Sequence, residues 1–442
     1  MRKPSILYLI PACLLILALL TGCAGNTVQN SSSAFRELDL SAGELIEPMR
    51  EGQNAAARLA ARGVNDFAFR LSAALATDVG TENFVCSPFS VWLPLAALVN
   101  ATNDQSRTDM MAALNAAGIS ESELNNAASR MLYNLTLQDA RQFAAEHNMQ
   151  DHDPLKIANA VFVDSNLTLS RDFAQVFLDY YRGSVINVDF SRIEAVDAVN
   201  EWVSNNTEGL IPEIVAEFDP RTVAAIANAI YFSDRWEWEF DPDKTREDVF
   251  HSPLGDTTAD YMLREGDNQV YYEDERVQAI PLQFITGGGL YIILPKDGDA
   301  TGLLSSMTSE YFYEIQDDSI AATVRLMLPR FSVESGVMKL VDVLEELGVP
   351  LFDEAAAPLT GGLIEEQIPV WISEAVHRAL IRVDEKGTTA AAVTFYAAAG
   401  AGMPQPTEPF EMICDRPFVF VLYSRTYDGG SQVLFTGVVN RP

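Results

Sequence analysis

The stretch EKGTTAAAVTFYAAAGAGM, residues 385–403, has the composition of a strand but no obvious place in a sheet. β-branched and aromatic residues fill the segment before it, and PFVFVLY at 417–423 reads as another strand. Roughly thirty residues separate the two, where compact domains use about 4–6, and a connection of that length points to function. From Gly387 to Thr407 no residue is charged, although charged residues make up 21% of the chain. In an extended chain Thr388, Ala390, Ala392 and Thr394 fall on one side and Thr389, Ala391, Val393 and Phe395 on the other. The first set is small enough to enter a packed sheet without displacing neighbours. A flexible alanine-rich linker has the same composition, so the flanking sequence must decide.

Those flanks read VWISEAVHRALIRVDEKGTTAAAVTFYAAAG at 370–400 and CDRPFVFVLYSRTYDGGSQVLFTGVVNRP at 414–442. Further segments agree in order: NFVCSPFSVWLPLAAL at 83–98, VNEWVSNNTEGLI at 199–211, IANAIYFSDRWEWEF at 226–240 and VRLMLPRFSVES at 324–335. Together they span 58–442, and over that span the chain resembles the serpins. The resemblance implies a single α+β domain with three β-sheets, surrounding helices and an exposed reactive-centre loop at about 386–410.

Ahead of it, MRKPSILYLIPACLLILALLTGC carries two cations, an apolar run and then small residues, the pattern of a secretory signal over 1–22. Leu20-Thr21-Gly22-Cys23 looks like a bacterial lipobox, which implies a lipid on Cys23 and a protein held on the outer face of a membrane, or released from it by proteolysis. The polar run after Cys23 suits a tether, so 23–57 reads as tether and approach to the first helix. A net charge of −32 argues against nucleic acid as a partner and suits an extracellular, soluble body. Cys86 and Cys414 lie in apolar runs that read as strands, so two buried free thiols are expected rather than a disulfide.

Helical spacing marks 65–76, 171–181 and 193–203; strands are plain at 157–163, 223–232, 290–294 and 434–439, and His377, Ala379, Ile381 and Val383 alternate on one strand face. Runs of both kinds without βαβ alternation argue α+β. Catalytic chemistry is missing. There is no nucleophile elbow and no phosphate loop, His147 and His152 sit in a polar stretch without a third metal ligand, and His251 precedes Ser-Pro in an expected turn. Neither enzyme, metal nor cofactor is expected, which sets aside a lipid-anchored hydrolase.

The resemblance assigns roles. His377 would belong to a hydrogen-bonded cluster with Ser87, Ser90 and Asn228 near the point where the central sheet opens, and Trp236 and Glu385 would lie at the top of that sheet. A satisfied core histidine is the plainer reading of His377, and plain core of Trp236. The family's activity is suicide inhibition: a protease cuts the loop, and the cut half inserts into the central sheet while still acylated to the enzyme. Gly387, Thr388, Ala390, Ala391 and Ala392 suit the hinge that starts insertion, although Thr389 replaces a frequent Glu and Val393 is bulky. Family spacing puts the scissile bond between Ala401 and Gly402, within a range of 399–403. No Lys or Arg lies between Lys386 and Arg416, so elastase-like or subtilisin-like serine proteases are the expected targets, with cysteine proteases open to the same trap. The alternative is a non-inhibitory serpin serving as a binding or structural module; either is expected to be monomeric. Two departures from the family, Ser233-Asp234 in place of Lys-Gly and Leu210 in place of a lysine, are expected to lie away from the hinge.

Overall fold

Two periodicities organise the chain. In the computed structural model, which describes residues 35–46, 55–135, 155–219, 221–388, 408–426 and 430–442, segments of alternating apolar residues form strands and those of helical spacing form helices. Arg171–Tyr181 is a helix because Ser170 caps its start, accepting from the Phe173 amide, and Arg182 ends it in the left-handed region. The other expected helices fall in Ala55–Ala76 and Glu194–Asn206, and the expected strands in Leu155–Asp164, Ala224–Phe232, Gly289–Pro295, Glu374–Val383 and Ser431–Val439.

Seven strands make the central sheet, in the order Phe35–Glu37, Ser184–Val188, Leu155–Asp164, Ala224–Phe232, Glu374–Val383 and Phe331–Glu334, with Met338–Lys339 also on Glu374–Val383. Nine others form a ladder that turns through the long strand Gly255–Glu273. Its residues 255–261 pair with Arg246–Ser252 and 261–271 with Ile320–Pro329, while only Tyr272 and Glu273 reach Val277–Gln283. The ladder is therefore two sheets. One holds Val277–Gln283, Gly289–Pro295, Phe418–Arg425, Ser431–Val439 and Phe84–Cys86; the other holds Arg246–Ser252, most of Gly255–Glu273, Ile320–Pro329 and Phe410–Ile413. Three sheets in one α+β domain agree with the expectation.

Ala224–Phe232 is buried along its whole length because both its faces are covered. Ile226, Ile230 and Phe232 face the main core, whereas Ala225, Ala227 and Ala229 face Ala195, Val199 and Val203 of the helix Glu194–Asn206. The helix Pro88–Leu98 is buried at every residue and runs through the main core; Ser87 caps it, and Pro88 at its first position gives up an amide that no helix would use.

The fold starts earlier than the expected boundary at Arg58. Phe35–Glu37 pairs antiparallel with Ser184–Val188 and closes one edge of the central sheet. Beyond it the Gly43 amide donates to Asp179 Oδ1 at 2.7 Å, Arg182 Nη2 donates to the Gly43 carbonyl at 2.7 Å, and Leu38, Leu40 and Leu45 pack on the core. Three residues are too few to show a strand pattern, which is why this edge could not be read. His251 is likewise in a strand, Arg246–Ser252, and its Nδ1 lies 2.9 Å from Asp256 Oδ1 across the hairpin. Cys23, His147, His152 and residues 1–22 lie outside the described residues. Among the described residues no helix is long and apolar enough to cross a membrane.

Cys86 and Cys414 are buried and free. Burial pushes the Cys86 thiol up to about 11 despite its hydrogen bonds with Thr436 and Ser72, and it raises Cys414 as well. Because the thiolate is the reactive form, a chain beginning at Ala24 should leave Ellman's reagent unreacted when native and show both thiols once unfolded. Rapid reaction in the native state would contradict this placement.

Candidate functional site

Within the central sheet, Ala224–Phe232 and Glu374–Val383 lie side by side and run the same way, in register from Ala225 opposite Glu374 to Tyr231 opposite Leu380. That register sets His377 opposite Asn228, and the antiparallel register with Leu155–Asp164 sets Asn228 opposite Asn159. Three polar side chains thus form a row across three buried strands, on the face turned to Ser87 and the helix Pro88–Leu98.

The row is tightly bonded. The Ser87 amide donates to His377 Nε2 at 3.0 Å, and an amide can only donate, so the other ring nitrogen carries the proton and Nδ1 donates to Asn228 Oδ1 at 2.6 Å. Asn228 Oδ1 also accepts from Ser90 Oγ at 2.6 Å, while its Nδ2 donates to the Ser90 carbonyl at 2.6 Å and to Asn159 Oδ1. Ser87 Oγ donates to the Leu434 carbonyl at 2.7 Å, which ties the row to a second sheet. Buried polar groups left unpaired cost about 1–3 kcal/mol each, so the members hold one another in place. Burial pushes the His377 pKa down to about 4; protonation at Nε2 would also set an N–H against the Ser87 amide.

At the end of this pair the chain turns. Asp384 donates its amide to the Gly387 carbonyl at 3.0 Å, and Gly387–Thr388 returns antiparallel to Asp234–Arg235, just beyond the end of Ala224–Phe232. Thr388 is fully buried; its Oγ1 accepts from the Asp234 amide at 2.8 Å and lies 3.3 Å from the Asp234 carbonyl. Gly387 has φ +154°, and a Cβ there would sit 2.0 Å from the Asp234 carbonyl oxygen, so only glycine fits.

Trp236 braces the turn. Its indole stacks on Phe284 at 4.9 Å, Nε1 donates to the Asp384 carbonyl at 2.8 Å, and its amide donates to the Lys386 carbonyl at 2.9 Å. Glu385, nearly buried, accepts from Arg330 at 2.6–2.9 Å and from Thr245 Oγ1 at 2.5 Å. Burial works to raise the Glu385 carboxyl, but the bonds from Arg330 and Thr245 outweigh it and hold the group below its ordinary value.

The structure therefore brings Ser87, Ser90, Asn228 and His377 together and gathers Trp236, Glu385, Gly387 and Thr388 at the sheet's end. Ala390, Ala391, Ala392, Ala401 and Gly402 lie outside the described residues. One expectation is corrected: Asp234 is not away from the hinge but pairs with Thr388, because the chain doubles back onto it. Asn159, Arg330 and Thr245 were missed. Arg330, a cation between the apolar runs of two strands, was the one with a readable signal.

A family model described as Serpin (serine protease inhibitor) matches residues 62–442. Alpha-1-antitrypsin 1-2 of Mus musculus is 29% identical over 398 residues, covering 89% of this chain and 91% of that protein. Serpin-Z7 of Hordeum vulgare is 28% identical over 390 residues, covering 85% and 94%. Among solved structures, that of the thermophilic serpin tengpin in its native state matches with a TM-score of 0.75 at 25% identity, covering 92% of this chain and all of that one.

His377 carries a pH dependence whose sign follows from its neutral burial. An unfolded chain takes up a proton near the ordinary value of 6.5, whereas the folded one resists until about 4. Stability is thus fully present above pH 6.5 and falls as pH drops towards 4, by about 3 kcal/mol in all. His377→Gln should lower stability at neutral pH by about 1–3 kcal/mol and flatten this acid slope. Urea unfolding of both proteins across that range is the check; equal slopes would rule the explanation out.

Proposed function

Since the chain belongs to the serpin family, a family of serine protease inhibitors, we propose that it inhibits serine proteases as a suicide substrate. The target's serine oxygen attacks the carbonyl carbon of Ala401, the peptide bond to Gly402 breaks, and the amine leaves as the new amino terminus of the distal fragment. The proximal fragment, held by an ester bond to the enzyme, inserts from Gly387 onward between Ala224–Phe232 and Glu374–Val383. Strand addition of this kind has serpin loop insertion as a recognised case.

One observation carries the reading. Two buried strands run in the same direction, and at their end a two-residue segment already returns antiparallel to the continuation of one of them. A strand continuing from Thr388 would be antiparallel to both neighbours, with small residues at Ala390 and Ala392 on the side that Thr388 begins. About a dozen new ladder bonds at roughly 1 kcal/mol each give on the order of 10 kcal/mol, whereas slowing deacylation tenfold needs only about 1.4 kcal/mol. The uncut fold is then held by a barrier rather than by being the lowest state. Insertion must part His377 from Asn228, which makes the polar row the lock on the seam.

The absence of Lys and Arg from the loop and the alanines around 401 favour elastase-like and subtilisin-like targets. A lipid on Cys23 would hold a monomeric inhibitor on the outer face of a bacterial membrane, with the residues before Phe35 as tether.

Incubation of the chain from Ala24 with pancreatic elastase and with subtilisin should give a band near the summed mass on denaturing gels. Mass spectrometry of the distal fragment should find its start at Gly402. Clean cleavage with the protease still active would move the reading to a non-inhibitory module, and a start far from 399–403 would refute the assigned bond. Thr388→Arg puts a charge into a fully buried position and should turn inhibitor into substrate, with the protein consumed per enzyme trapped rising at least about tenfold. Unchanged complex formation by that variant would count against insertion.

A further inference from the structure

The inhibitory reading leaves unused a cleft of about 810 Å³ lined by Trp238, Arg264, Gln269, Val270, Phe284 and Arg425 among others. Arg264 is its anomaly. In a chain with 62 acidic and 30 basic residues, arginines readily find carboxylates, as Arg330 finds Glu385 and Arg378 finds Glu334. Arg264 has no ion pair among the described residues. Its Nη1 donates to the Trp238 carbonyl at 3.2 Å, its guanidinium lies 5.1 Å above the Phe240 ring, and its Nε is buried without a hydrogen-bond partner. Burial alone pushes its pKa down to about 10, with no carboxylate opposing.

The cleft holds a second orphan. Gln269 donates through Nε2 to the Gly266 and Val324 carbonyls at 2.9 and 2.8 Å, but its Oε1 is buried without a partner. Beside these atoms stands apolar surface that a folded chain normally covers: Trp238 is 55% exposed and Val270 is 43% exposed. A second guanidinium, Arg425, lines the cleft while donating to Gln283 Oε1 at 3.3 Å. Glu237, Glu265 and Asp267 also line it, but all three are exposed. Charges in water interact at only about 1 kcal/mol at 4 Å, so the exposed rim carboxylates oppose an anion less than a half-buried guanidinium without an ion pair attracts one.

We propose that this cleft binds a small amphipathic anion, its acid group on Arg264 and its apolar or aromatic body against Trp238, Val270 and Phe284. The unpaired guanidinium selects the acid, the exposed indole selects the body, and Gln269 Oε1 accepts from a donor on the ligand where it has one. The site is distinct from the loop and its hinge, although Phe284 is shared: its ring stacks on Trp236.

The test uses the chain from Ala24 with two probes, anilinonaphthalene sulfonate followed by its fluorescence and dodecanoate followed by calorimetry, with dodecanol as the uncharged control. Expected are one-to-one saturation by at least one probe, displacement of the sulfonate by dodecanoate, and affinity for dodecanol weaker by about tenfold. Arg264→Gln and Trp238→Ala should each weaken the bound probe by about tenfold, with Arg264→Lys keeping most of the affinity. Trp238 is a surface side chain, so its removal keeps the test valid should Arg264→Gln fold poorly. Failure of both probes to saturate, or equal affinity in wild type and Trp238→Ala, overturns the proposal.

Discussion

The direction of two strands governs the rest. Ala224–Phe232 and Glu374–Val383 are paired in parallel, deep in a sheet where each has an antiparallel neighbour on its other side. Parallel pairing is slightly the weaker kind per residue, and here it places two like-directed edges where one strand of opposite direction would satisfy both. The turn at Asp384 to Lys386 then delivers a chain of that direction to the seam's end. Reverse either strand and neither the return of Gly387–Thr388 nor the row of His377, Asn228 and Asn159 would have a reason to exist.

The two faces of the seam are held differently: Ile226, Ile230, Phe232 and Ile381 pack on the main core beside the polar row, whereas the other face is lined by small side chains. On the face turned to the helix Glu194–Asn206, the seam strand Ala224–Phe232 carries Ala225, Ala227 and Ala229 and its neighbour carries Ala158 and Ala160, side chains that bury little area each, so parting the strands costs less there than it would with isoleucines in their place. Beside that packing stands a polar cluster in which every bond to Asn228 would have to be exchanged for another. Under the proposed insertion, these directional bonds are the ones that new ladder bonds would replace.

Much of this was legible in the residues, and the reasons for what was not are specific. Alternation exposed the long buried strands, and composition exposed the small-residue stretch from Gly387. Strand direction was invisible, and the adjacency of Asn228 and His377, far apart in the chain, came from the family resemblance alone, because nothing local says they are neighbours in one parallel pair. The strand Phe35–Glu37 was too short for pattern, and Asp234 was misplaced because a doubling-back by way of three turn residues cannot be measured along the sequence. Trp236 stood out as an aromatic, but its task of holding the Asp384 carbonyl depends on a turn closed in space. Arg264 offered no sign at all: what distinguishes it is the carboxylate it lacks, and absence of a partner is a property of the folded surroundings.

The order of strands after the loop has a further consequence. Phe418–Arg425 lies between Gly289–Pro295 and Ser431–Val439, and the latter lies between Phe418–Arg425 and Phe84–Cys86. The carboxy-terminal end of the chain is thus woven into the interior of a sheet built from earlier residues. A molecule nicked anywhere in 389–407 would stay one particle on a sizing column, its two polypeptides interleaved as layers of the same core. Covalent continuity and mechanical integrity are separate properties in this protein.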